Sequence, residues 1–336
     1  MRNTMQVFQI TAPGRAHVTD VPMPDAVPGW TVLEVGACGV CGTDLHIYKG
    51  EYIGSYPIVP GHEIAGTVVA IGSGVTRVGV GDRVAIEPNI ACGVCDECLS
   101  NRENFCENWQ AVGVTLPGGM AEHVAVPEAA LFPVRDMPFE RAAFVEPLSC
   151  VLHGIESVGI ESGDRVAVFG AGPIGMLLAW CARISGAGYI DVLERGTFRR
   201  ERAAAAADEV FASASDLPKD RYDVVIEAAG APALIPTAIE AVRPGGRILL
   251  FGVPSADATA TVTPFMLFRK GITIVATYTS RRNSIQAVRL LESGAVRPET
   301  LITHTVGLGG IVDAFDAVES AHDDVLKAVV LPGSRV

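Results

Sequence analysis

The stretch that decides the fold is Arg165-Val166-Ala167-Val168-Phe169-Gly170-Ala171-Gly172-Pro173-Ile174-Gly175. A short β-branched, apolar run predicts a strand, the glycine spacing a tight turn, and the apolar run opened by Pro173 and Ile174 a helix. Each glycine has its own physical task. Gly170 permits the turn, Gly172 lets backbone approach a pyrophosphate, and Gly175 allows the helix to pack closely, with the helix N-terminus turned toward the anion. Glu194 ends the next predicted strand, about 20 residues on, where an acid binds the hydroxyls of an adenosine ribose. Arg195 follows it and Arg199 lies close by, so a 2′-phosphate could also be paired there. Because Glu194 would repel that phosphate, charge favours NAD and leaves NADP as the alternative.

The pattern around this turn repeats. From Asp164 onward, short apolar runs (165–170, 189–194, 223–228, 247–253 and 272–277) alternate with helical stretches at 174–185, 199–207 and 235–241. That alternation predicts βαβ units and a parallel sheet. Before about residue 150 the chain instead carries β-branched runs cut by Gly and Pro, such as 31–35, 64–71 and 83–86, which predict a β-rich domain. After Ser284 it reads as two helices, 285–293 and 310–321, and a final strand, 327–331.

Composition narrows the partners. The chain has 336 residues, 49% hydrophobic and 19% charged, enough for about two ordinary globular domains. A net charge of −12 offers no basic footprint for nucleic acid or anionic lipid, so neither is expected. The longest uncharged stretch, 166–182, is interrupted by glycines and falls short of the ~20 residues a membrane span needs. The start, MRNTMQVFQI, has no apolar run of signal-peptide length, so the expected location is the cytoplasm, where thiols stay reduced.

Four of the eight cysteines, Cys92, Cys95, Cys98 and Cys106, fall within one short segment. Four soft thiolates close a tetrahedral zinc site with no position for substrate, so that metal would be structural; an iron–sulfur cluster is the other reading. A third constellation is spread along the chain: Cys41-Gly42-Thr43-Asp44-Leu45-His46, Gly61-His62-Glu63 and Glu146-Pro147. A thiolate, an imidazole and a carboxylate suit a catalytic zinc, which keeps an open position.

In their order and separations these motifs resemble the zinc-dependent medium-chain alcohol dehydrogenases over nearly the whole chain. Glu146-Pro147-Leu148-Ser149 is most similar to the sorbitol and polyol dehydrogenase branch. The resemblance implies an α/β protein: a Rossmann doubly wound parallel sheet, residues 151–284, inserted into a GroES-like β-rich catalytic domain formed by 1–150 plus 285–336. It implies two zinc ions per chain. Cys41 and His62 would bind the catalytic one, with Glu63 a ligand or close neighbour and Glu146 bound directly or through water. Thr43 would take the substrate proton and His46 would pass it on. A homo-oligomer, dimer or tetramer, is implied as well. Ala276 to Arg282 lacks the aromatic-Arg-aromatic segment of sorbitol-type enzymes, which argues against sorbitol itself, and Arg281 and Arg282 read as solvated surface.

The expected activity is therefore hydride transfer from a secondary hydroxyl of a small polyol or sugar alcohol to NAD. The rivals are an NADP-linked alcohol or L-threonine 3-dehydrogenase and, from another class, a non-catalytic zinc- and nucleotide-binding redox sensor. The Cys41, His62 and Glu146 set argues against the sensor and against a zinc-free quinone reductase.

Overall fold

In the computed structural model, which describes residues 3–319 and 325–334, the chain crosses between two units at Ser149/Cys150 and again at Thr279/Ser280. The first crossing lies within the helix Val145–Val158. The second falls at residue 280 rather than at 285. A shared acceptor lies beside both crossings: Glu87 Oε2 takes hydrogen bonds from the hydroxyls of Ser280 (2.5 Å), Ser284 (2.8 Å) and Ser149 (3.2 Å). A single carboxylate thus ties residues next to both crossings to the β-rich unit, and no hydropathy pattern reports such a bond.

The inserted unit is a six-stranded, all-parallel sheet. Its order is Glu209–Phe211, Tyr189–Leu193, Arg165–Phe169, Tyr222–Glu227, Val242–Leu250, Thr273–Ala276. Sequence order reverses between Arg165–Phe169 and Tyr222–Glu227, and a crevice outside the carboxyl ends of the strands at such a point is where open α/β sheets take ligands. The central strands are mostly apolar because the residues of both faces are largely buried, with Asp191 and Glu227 as buried acids among them. The sequence anticipates five of the six strands. Glu209–Phe211 has only three residues, none fully buried, too little for a periodic signal. The helix Pro264–Lys270 is likewise unforeseen, since of its residues only Lys270 is buried.

The other unit is built on a seven-stranded sheet. Its path is Ile302–Val306, Lys327–Val330, Trp30–Gly39, Glu63–Ile71, Arg83–Ile86, Leu131–Pro133, with His123–Pro127 also paired to Trp30–Gly39. The C-terminal tail therefore adds two strands, the inner one pairing antiparallel with Trp30–Gly39 through Val329↔Gly39 and Val330↔Cys38. Its core joins both ends of the chain: Phe8, Leu33, Ile64 and Val84 pack in one cluster with Ile311, Phe315 and Val330. Helices Ser284–Ser293 and Ile311–Glu319 correspond to the two expected in the tail; residues 320 and 321 of the expected second helix lie outside the described residues. Among the described residues no helix is long and apolar enough to cross a membrane.

Candidate active site and metal centres

The helix Gly42–Lys49 begins at Cys41, and its first turn carries the group that organises the site. Asp44, fully buried, accepts the Cys41 N–H at Oδ2 (2.9 Å) and the Gly61 N–H at Oδ1 (3.0 Å). Its Oδ1 also stands 3.4 Å from His62 Nδ1. One carboxylate therefore fixes the loop that offers Cys41 and the turn that offers His62. Gly61 makes that turn possible, with φ +96° and no room for a side chain: a Cβ there would come within 2.6 Å of Cys38 Sγ. Donor atoms of Cys41, His62 and Glu63 lie within 4.8 Å of one another. Burial opposes charge on His62, but the Asp44 and Cys41 anions outweigh it and hold its pKa well above 6.5.

Glu63 is buried and held by a buried lysine from the distant tail. Lys327 Nζ stands 2.6 Å from Oε1 and 2.5 Å from Oε2, and also donates to the Val40 carbonyl (2.9 Å). Gly39 leaves space for this pair, since a Cβ at that position would fall 1.8 Å from Glu63 Oε2. Glu146 is buried in the first turn of Val145–Val158, outside the Cys41, His62, Glu63 group. Thr43, in the first turn of Gly42–Lys49, is half-buried. His46 is half-exposed in the same helix, its Nδ1 2.8 Å from Glu51 Oε2.

Cys92, Cys95, Cys98 and Cys106 converge in a separate lobe, their sulfurs all within 4.8 Å of one another. Cys95 Sγ lies 3.5 Å from Cys98 Sγ and 3.9 Å from Cys106 Sγ. A tetrahedral ion with ~2.3 Å bonds to sulfur separates its ligands by about 3.8 Å, so the thiols already have the right spread. Backbone N–H groups of Val94 and Cys95 bring Cys92 down to about 6, while burial and the neighbouring thiols push Cys98 up to about 12. Four thiols this close cannot all ionise without a cation among them. Cys38, by contrast, is a packed core thiol whose pKa burial raises further.

In the parallel-sheet unit, the turn after Arg165–Phe169 is built as its glycines require. Gly170 has φ +102° and abuts Ala229. A Cβ on Gly175 would lie 1.9 Å from the Gly170 carbonyl oxygen, and one on Gly172 would meet nothing within 4 Å, leaving its approach open. The helix Pro173–Ile184 starts with no side-chain cap and Pro173 in its first turn, so its leading N–H groups can meet an anion. Glu194 accepts N–H bonds from Ala171 (2.9 Å) and Gly196 (2.8 Å), which pins the acid beside the glycine turn. Arg199 is half-buried on the following helix, and Arg195 is exposed.

Two family models match the chain: an alcohol dehydrogenase GroES-like domain over residues 27–136 and a zinc-binding dehydrogenase over residues 173–293. D-arabinitol dehydrogenase 1 of Uromyces fabae is 35% identical, over 93% of this chain and 92% of that protein. The chain belongs to the zinc-binding alcohol dehydrogenase family. D-altritol 5-dehydrogenase of Agrobacterium fabrum (strain C58) is 36% identical, over 93% of this chain and 95% of the relative. A zinc-binding dehydrogenase crystal structure from Sinorhizobium meliloti 1021, bound to NADP, superposes with a TM-score of 0.94 at 31% identity, covering 98% of this chain and 100% of the other. The protein is accordingly an oxidoreductase acting on CH–OH donors, with the GroES-like and Rossmann architecture of its family.

Of the residues that matter to this dehydrogenase's site, sequence reasoning missed Asp44, Lys327 and Glu51. Asp44 had a signal, an acid at the third helical position after Cys41, where a side chain reaches back to the cap N–H. Lys327 had none, because 264 residues separate it from Glu63.

Proposed function

We propose that this dehydrogenase oxidises a secondary hydroxyl of a small polyol or sugar alcohol to a ketone, using NAD and two zinc ions per chain. The observation that carries the proposal is the convergence of Cys41, His62 and Glu63 on one point, organised by Asp44. The polyol class rests on relatives named for arabinitol and altritol. The residues present suit a catalytic zinc: a thiolate, an imidazole and a carboxylate of the ordinary donor set, with a buried carboxylate behind the histidine as such sites require. Cys41, His62 and Glu63 would hold the ion, Glu146 would reach it through water, and Lys327 would balance the surplus negative charge. Cys92, Cys95, Cys98 and Cys106 would hold the structural zinc, which the family favours over an iron–sulfur cluster.

When bound, zinc supplies Lewis acidity toward the substrate hydroxyl and the nicotinamide supplies the hydride acceptor. Thr43 Oγ1 would accept the hydroxyl proton as it gives up its own, so that the threonine stays neutral and one proton moves on. His46 passes it toward solvent, and because Glu51 engages Nδ1, Nε2 is the ring atom left to take it up. The glycine turn and the free helix N-terminus take the pyrophosphate, and Glu194 takes the ribose hydroxyls.

NADP is a second reading with its own support, Arg195 and Arg199 one and five residues after Glu194 in the chain and the NADP in the similar Sinorhizobium structure. Zinc content per chain, measured alongside NAD and NADP reduction with arabinitol, altritol, simple alcohols and threonine, tests the whole reading. About two zinc ions with polyol-dependent NADH formation are expected. One zinc and no turnover on any substrate would favour the sensor instead.

We infer further that two copies associate. Thr273–Ala276 is an edge strand with Ile274 exposed, and on the preceding helix Phe268, 82% exposed, lies beside exposed Phe265 with the rings tilted and their centroids 6.4 Å apart. An apolar sheet edge is self-complementary about a two-fold axis. A cytoplasmic location is part of this reading, and eight cysteines without a disulfide accord with a reducing compartment.

A further inference from the structure

Glu227 is a buried carboxylate that the proposed chemistry does not use. It ends the strand Tyr222–Glu227, directly across from Phe169, on the neighbouring strand that leads into the glycine turn. Its side chain folds back over the loop that follows. Oε1 accepts the N–H groups of Ala229 (2.9 Å) and Ala231 (3.2 Å), and Oε2 accepts that of Gly230 (3.2 Å). Its main-chain carbonyl takes the N–H groups of Phe251 and Gly252, both at 2.9 Å, at the end of the next strand. One residue therefore shapes the carboxyl ends of two strands beside the point where strand order reverses.

This loop bears directly on the turn. A Cβ on Gly170 would meet Ala229 Cβ at 3.2 Å and its Cα and N at 3.3 Å, so Ala229 forms the wall against which Gly170 packs. On the far side, Gly252 fits because it has no side chain: a Cβ there would lie 2.0 Å from Gly230 N and 2.9 Å from Glu227 Oε2. Consecutive N–H groups that converge in this way make a concavity for anions. Here the protein's own carboxylate fills it, which leaves the helix N-terminus after Gly172 as the nearby place for a ligand's phosphates.

We propose that Glu227 is a positioning residue for the dinucleotide, holding Ala229–Ala231 in the shape that supports the glycine turn and keeping those N–H groups from competing for the pyrophosphate. The proposal rests on the cofactor reading above. The carboxylate must be an acceptor at both oxygens, which an amide cannot be, so Glu227→Gln turns an NH2 toward at least one backbone donor. Glu227→Asp keeps both acceptors on a shorter arm.

The test is NADH and NADPH binding by fluorescence titration on wild type, Glu227→Asp, Glu227→Gln and Gly252→Ala, with hydrogen exchange of residues 228–231 and zinc content measured on the same samples. For the preferred nucleotide we expect Glu227→Gln and Gly252→Ala to raise Kd about tenfold. Glu227→Asp should fall between them and wild type. Exchange at 228–231 should quicken, zinc content should hold, and the cofactor KM should rise more than kcat falls. Wild-type Kd in a folded Glu227→Gln overturns the proposal, as does loss of zinc in step with loss of nucleotide binding. Failure of wild type to bind either nucleotide strikes the cofactor reading instead.

Discussion

Asp44 bears on three backbone and side-chain groups at once, and its removal separates two kinds of metal site. In Asp44→Ala the Cys41 and Gly61 N–H groups lose their buried acceptor and His62 loses the carboxylate beside Nδ1. Loss of such an orienting partner costs about 10- to 100-fold in metal affinity or activity. Metal analysis after dialysis should therefore show zinc falling from about two per chain toward one, the remaining ion held by the cysteine lobe. Retention of both ions with full activity would show that Asp44 does not position the ligands. At this scale the ligand types were legible, because Cys41, His62 and Glu63 sit in compact motifs whose chemistry suits a metal. Lys327 was not, since a lone lysine in an apolar strand says nothing about the carboxylate it meets.

Among the elements, the helix Ile235–Ala241 shows how a buried charge is accommodated. Lys270 Nζ donates to the carbonyls of Ile239 (2.6 Å), Glu240 (2.9 Å) and Val242 (2.8 Å) around the end of that helix, where the Glu240 carbonyl also accepts the Asp220 N–H (3.0 Å), and it pairs with the Asp220 carboxylate at 2.7 Å. Lys270→Met fills similar volume but takes the ammonium from the Ile239 and Val242 carbonyls and leaves Glu240 with the Asp220 N–H alone. We expect a loss of roughly 2 kcal/mol or more in urea unfolding of the parallel-sheet unit, with zinc content unchanged. No change in the midpoint would mean that water replaces the ammonium without cost. Some elements with a buried face were readable in advance: Ile235–Ala241 and Arg83–Ile86 match their expected spans, whereas the helix Val145–Val158 and the strand Thr4–Ala12 were not anticipated. Pro264–Lys270 was not, because its two phenylalanines face outward and break the relation between apolar spacing and burial.

Over the whole molecule, charge sets the response to acid. Asp208 and Asp223 resist burial's upward push on their pKa through Arg183 and the Ile190 N–H in one case, and the Arg165 N–H and Arg243 in the other. Both folded-state values end below the ordinary range, so between these and about pH 4 the unfolded chain binds more protons and stability drops as pH falls. Asp191 and Glu227, raised by burial, act in the opposite sense. Variants separate the contributions: Asp223→Asn should flatten the acid limb of a plot of urea midpoint against pH. An unaltered slope would remove Asp223 from the account. Assembly belongs to this scale too. Phe268→Asp should shift sedimentation toward the monomer without changing zinc content, and an unshifted profile would place any interface elsewhere.

From residues alone came the parallel-sheet unit, the glycine turn with its acid at Glu194, the four-thiol lobe and the scattered metal donors. Each follows from local physics: the period of burial, the φ angles open to glycine, and the affinity of clustered thiolates for a soft cation. Tertiary structure alone decided that the tail's strand Lys327–Val330 pairs with Trp30–Gly39, that Lys327 meets Glu63, that Glu87 ties both crossings, and that Glu227 braces the turn. Glu87 and Lys327 act between residues far apart in the chain, and Glu227 by folding back on a loop that only the neighbouring strands place. Such contacts are paid for by the collective burial of a whole core, so no local pattern of residues has to mark them.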